Sequence, residues 1–147
     1  MPIFVDTDHG PKNKLYDGSK AGNSATAVEG KMQSTVVRLI DKTAGFTTTE
    51  FPKAKGYAIR LEFSKLDTQS GPDTVVKLSG FILRWPKTVA QAGKGKGDEF
   101  ITLGWTGGGK ASGHSEGSLL DVVEAIIEGM MPNGIQAMKN DWPKWQP

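Results

Sequence analysis

Apolar residues recur at three- and four-residue steps in two stretches and alternate with polar ones between them. Ala25, Val28, Met32, Val36, Leu39 and Ile40 share one face of a helix over Thr26–Ala44. Thr26 and Glu29 have capping-box spacing, in which the hydroxyl accepts from a free backbone N–H and the carboxylate reaches back to another. Gly45 is the expected left-handed stop. Gly30, inside the helix, costs about 1 kcal/mol against alanine and marks either a close approach or a tolerated surface site. Leu119, Val122, Val123, Ile126 and Ile127 form a second stripe over Ser118–Met131, opened by Ser118 with Asp121 and ended or kinked by Pro132. A short helical piece is expected through Met138, and the tail Asp141–Pro147 is expected not to be regular helix.

Between the helices the period changes to two. Tyr57, Ile59, Leu61 and Phe63 alternate with polar or small residues in a strand over Tyr57–Asp67. Gln69–Asp73 is turn chemistry. Thr74–Trp85 follows with Val76, Leu78 and Ile82 on one face and Val75, Phe81, Leu83 and Trp85 on the other, the pattern of a central or covered strand. Phe46–Phe51 is rich in strand formers up to Pro52, Phe100–Thr106 reads as another strand, and Ile3–Asp6 as a short one. The predicted fold is α+β: an antiparallel meander of about four strands with two amphipathic helices on one face. Residues 24–140 form its single domain, 1–23 an N-terminal arm and 141–147 a Trp/Pro tail.

Composition narrows the function classes. A chain of 147 residues is the usual size of one domain and needs no metal or disulfide to bury a core. Eighteen basic and sixteen acidic residues leave a net charge of +2, too small to argue for nucleic acid alone. With no cysteine, thiolate chemistry is excluded. No apolar run is long enough to span a membrane. Met1–Asp6 lacks the regions of a signal peptide, so an exported form is expected to have lost its leader already.

Four groups of residues carry candidate chemistry. Gly104–Ala111 nearly matches a phosphate-binding loop, whose glycines bring backbone N–H groups to phosphates and whose lysine neutralises them. Ala111 replaces the Mg²⁺-binding hydroxyl, however, and no helix starts at Lys110, so a flexible strand-to-helix connection is preferred. Asp6, Asp8 and His9 are weak candidates for a metal, with no second cluster to complete a cage; no cofactor is expected. Lys87, Lys94, Lys96 and Lys110, beside Trp85 and Trp105, are the candidates for binding single-stranded nucleic acid. Ile3, Phe4, Trp142 and Trp145, in the two terminal segments, are the candidates for a protein partner, tryptophan being enriched in binding hot spots.

The order of a helix, strands led by Gly56-Tyr57-Ala58-Ile59-Arg60-Leu61, and a final helix resembles small α+β domains of bacterial envelope accessory proteins over roughly Thr26–Met131. The resemblance implies an extracytoplasmic place and transfers no site residue. The sequence thus leads to an expected non-enzymatic structural or binding subunit, bacterial or viral. It would assemble with its own copies or a protein partner through its terminal arms, with an extracellular, periplasmic or virion-associated location favoured over the cytoplasm. The alternatives are a single-stranded nucleic-acid-binding module using the Lys-rich loop and an envelope accessory domain.

Overall fold

The fold was taken from a computed structural model that describes residues 3–10, 24–48, 56–67, 71–85, 101–102, 105–113 and 116–145. Its elements, in chain order, are β1 (Ile3–Gly10), α1 (Ser24–Asp41), β2 (Gly56–Asp67), β3 (Asp73–Trp85), β4 (Trp105–Ser112) and α2 (Glu116–Trp145). The strands form one sheet in the order β1-β2-β3-β4. β2, β3 and β4 are the antiparallel meander, so that meander has three strands rather than about four. β1 joins in parallel, with Ile3 opposite Tyr57 and Val5 opposite Ile59. The physical reason is the crossover: α1 lies between β1 and β2 and returns the chain to the same end of the sheet.

One apolar cluster joins both helices to the sheet. Val28, Met32, Val36 and Ile40 of α1 and Leu119, Val123, Ile127 and Met131 of α2 bury their side chains with Tyr57, Ile59, Leu61 and Phe63 of β2. On β3, Val76, Leu78 and Ile82 complete that face. β3 is central, as its two-sided apolar pattern requires: Leu83 on the opposite face is buried too, while Val75 and Phe81 are half-buried. A bulge at Ser64 interrupts the β2–β3 register between Phe63 and Lys65.

Several sequence expectations are corrected. α1 starts at Ser24, which places Thr26 in its first turn rather than at its cap, and it ends at Asp41. Gly45 does take a left-handed φ of 84°, but in the turn beyond the helix. Gly30 is exposed with nothing close to it, a tolerated surface glycine. Around Phe46–Phe51 only an isolated bridge at Thr47 appears among the described residues. The strand expected at Phe100–Thr106 lies further on, at Trp105–Ser112, so the supposed flexible glycine connection is itself a strand.

The largest correction concerns α2. It runs 30 residues from Glu116 to Trp145, straight through Pro132 and Pro143. Each proline deprives the carbonyl four residues back of its helical partner. Those carbonyls belong to Glu128 and Lys139, both exposed residues. Burial on the other side of the helix outweighs the penalty: Met138 is fully buried, and Trp142 and Trp145 pack against the core.

Candidate docking edge

The glycine run of β4 is a packing device. A Cβ on Gly107 would sit 2.6 Å from Met130 Cγ and 2.8 Å from Ile126 Cγ2, and one on Gly109 would sit 3.1 Å from Val122 Cγ2. These glycines let α2 lie directly on β4. Trp105 begins the strand, 7 % exposed, its indole N–H donating to the Met130 carbonyl at 2.8 Å. Gly80 below and Gly134 above leave room for its ring; a Cβ on either would collide with it. The phosphate-loop pattern therefore reflects helix-on-strand contact, and Trp105 is not available to stack on a base.

Among the described residues the other side of this strand is open. Gly113 N–H donates to the Pro72 carbonyl at 2.9 Å, which fixes the phase of the β3–β4 ladder. Trp105, Gly107, Gly109 and Ala111 turn their backbone groups toward β3, whereas Thr106, Gly108, Lys110 and Ser112 turn theirs outward. All four outward residues are exposed, and no strand pairs beyond β4 among the described residues. A cavity of about 460 Å³ lies against this edge, lined by Lys77, Thr106, Gly107 and Gly108. Lys77 stands opposite Gly108 across the ladder and opposite Lys65 on β2. All three of Lys65, Lys77 and Lys110 are exposed. Asp73 Oδ2 lies 3.9 Å from Lys110 Nζ, a long surface pair of little energetic weight. Above β3's last described turns the edge closes differently: Ile101 N–H donates to the Ile82 carbonyl, and Thr102 Oγ1 accepts from Ile82 N–H.

The far end of α2 is clamped to the sheet. The Asp141 carboxylate accepts from Arg84 Nη2 at 2.7 Å, Arg84 Nε at 3.1 Å and the Tyr57 hydroxyl at 2.8 Å. Tyr57 and Arg84 are cross-strand partners, so the register of β2 and β3 aims both at one carboxylate. Burial pushes the Asp141 carboxyl up, but hydrogen bonds from Arg84 and Tyr57 prevail and hold it below its ordinary 3.8. Burial, then the bond to Asp141, pushes the Tyr57 phenol well above the usual range. Trp145 donates its indole N–H to the Gly56 carbonyl at 3.0 Å and lies under the Arg84 guanidinium, 5.2 Å from the ring centre. Trp142 tilts against Tyr57 with ring centres 6.0 Å apart. Both tryptophans singled out for a partner are thus half-buried on their own sheet.

The remaining candidates separate. Ile3 and Phe4 pair along β1 with Tyr57 and Ala58, and Asp6 pairs with Arg60; the side chains of β1, including Asp6, Asp8 and His9, are outside the described set. Lys87, Lys94 and Lys96 lie outside the described residues. Among the described residues no three His, Asp or Glu gather as a metal site, and no helix is long and apolar enough to cross a membrane. Sequence reasoning missed Lys65, Lys77, Arg84 and Asp141. For Lys77 a signal was present, since it is a charged residue flanked by the apolar Val75, Val76 and Leu78 of β3. For Arg84 and Asp141, 57 positions apart, pattern reading has no signal. Compared with protein-family models, curated proteins and solved structures, the chain matches nothing in any of the three.

Proposed function

We propose that this domain is a non-enzymatic assembly or binding subunit that takes up an extended strand along the outer edge of β4. The observation that carries this reading is the outward row of Thr106, Gly108, Lys110 and Ser112, exposed and, among the described residues, at the end of the sheet order. Unpaired edge groups are a template for another chain, and main-chain pairing of this kind is a common mode of peptide recognition. Placing a photo-crosslinking amino acid at Ser112 in the producing cell tests the reading, with Gln33 on the exposed face of α1 as control. Adducts heavier than the 15.8 kDa chain are expected from position 112 alone; no adduct there, with the chain present at normal levels, defeats it.

One observation favours a second reading. Lys65 and Lys77 face each other directly across β2–β3, an arrangement that costs stability unless an anion relieves it. A single-stranded nucleic acid would do so through its phosphates. Salt-dependent binding of an oligonucleotide, weakened by Lys77→Ala, supports that reading; no binding at low salt removes it.

A further inference from the structure

We propose that the strand received by β4 is β1 of a second copy of this chain, laid parallel to it, so that the sheet of one molecule runs on into the next. This inference rests on the docking role given above to the β4 edge and names its occupant.

Direction comes first. β1 is parallel to β2, β2 is antiparallel to β3, and β3 is antiparallel to β4, so β1 and β4 point the same way. They are the two edges of the sheet and are equally long, eight residues each. A copy displaced sideways, without being turned over, therefore offers β1 in parallel to β4 and keeps its helices on the same side. β1 already makes a parallel ladder with β2, and the new contact repeats that geometry on its other edge.

Charge selects this pairing over the symmetric ones. Lys110 is the only ionisable residue of β4 and is exposed, with Lys77 on the neighbouring strand beside it. β1, Ile-Phe-Val-Asp-Thr-Asp-His-Gly, carries Asp6 and Asp8. Asp6 has Arg60 opposite it in β2, whereas Asp8 falls within the register shift before Gly10 and has no Cα partner there. β4 against β4 brings Lys110 near its own copy, and β1 against β1 does the same with the acids. β4 against β1 sets opposite signs together. The cavity of about 460 Å³ lined by Lys77, Thr106, Gly107 and Gly108 is the space that glycine leaves for incoming side chains. Because the two surfaces differ, the contact does not close on itself, and molecules add in rows or rings.

Charge exchange tests this. Lys110→Asp alone sets acid against acid, and Asp8→Lys alone sets base against base. Mixed in equal amounts, each junction again joins opposite charges. Sedimentation velocity from about 5 to about 500 µM on the wild type is expected to show a mass rising past the dimer, through the micromolar range of such contacts. Each variant alone is expected to associate about tenfold more weakly, and the mixture to regain wild-type association. Gly108→Pro, which removes an outward N–H without touching the β3 ladder, is expected to stop growth independently of charge. A wild type that stays monomeric throughout, a dimer that grows no further, or a mixture no stronger than its components overturns the proposal. If position 112 still crosslinks in cells to a different protein, the docking edge survives and only its occupant is wrong.

Discussion

Two glycines of α2, five positions apart, should respond to alanine with opposite signs. Gly129 has nothing within 4 Å of a Cβ built on it, whereas at Gly134 that atom would lie 2.5 Å from Trp105 Cζ2 and 2.8 Å from Cη2. Both substitutions gain the helix propensity of alanine, worth about 1 kcal/mol. At Gly129 nothing opposes that gain, and the domain is expected to be stabilised by about 0.5–1 kcal/mol. At Gly134 the neighbour is a rigid indole held by its bond to the Met130 carbonyl and pressed from below by Gly80. It cannot step aside, so overpacking should cost about 1–3 kcal/mol beyond the propensity gain. Subtracting one variant from the other cancels propensity and leaves the clash. Urea unfolding at constant m-value measures it. Adding Trp105→Leu should shrink the Gly134→Ala cost, since the colliding ring is gone. If both alanines stabilise equally, α2 does not lie on Trp105 as described, and the packing account of the glycine strand fails with it.

Other outcomes follow from the clamp and the helix pair. Asp141→Asn should cost about 2 kcal/mol at neutral pH, less than a fully buried pair because Arg84 keeps 31 % of its side chain in water. Since the folded carboxyl lies below its ordinary value, its contribution is complete above about pH 4 and fades as pH falls through the folded value. The stability gap between wild type and Asp141→Asn, followed by urea unfolding, should therefore narrow on acidification; a gap independent of pH would contradict the clamp. Trp145→Phe, which keeps a ring under Arg84 but loses the bond to the Gly56 carbonyl, should cost about 1 kcal/mol in the same assay. Glu128→Gln removes the negative charge 3.1 Å from Arg38 Nη2 on the α1–α2 surface, both side chains well exposed, and should change stability by less than about 1 kcal/mol. Deleting residues 141–147 should lower the thermal midpoint of the whole domain, because it removes the carboxylate and both tryptophans that close the Tyr57 end of the core.

How far the fold could be read from sequence depended on how local the cause was. The two stripes of α1 and α2 and the alternation Tyr57-Ile59-Leu61-Phe63 report burial within a few residues, and they located both helices and the long hairpin. Three features escaped for one reason: each depends on a partner far along the chain. The run Trp105–Ser112 looks like a loop because glycine has no strand preference, and only Met130, Ile126 and Val122 above it explain the missing side chains. Pro132 and Pro143 signal helix ends, and only the burial of Met138 and the Arg84–Asp141 bonds carry the helix past them. Trp142 and Trp145 resembled exposed anchors because Tyr57 and Gly56, which hold them, lie more than 80 positions away. The candidate docking edge was hidden by the same glycines, since its phase follows from the Gly113–Pro72 bond and not from side-chain hydropathy.

The parallel strand β1 has a consequence for how the molecule comes together. β2 and β3 are separated by only a few residues and pair antiparallel, so their contacts can zip from neighbour to neighbour. β1 must wait until α1 and the whole distance to Tyr57 have been bridged before its first rung can form. Such a strand docks late and lifts off early, and its amides should trade hydrogen for deuterium sooner than those of β3, enclosed on both sides. Each time it lifts away, β2 is left as the new margin of the sheet.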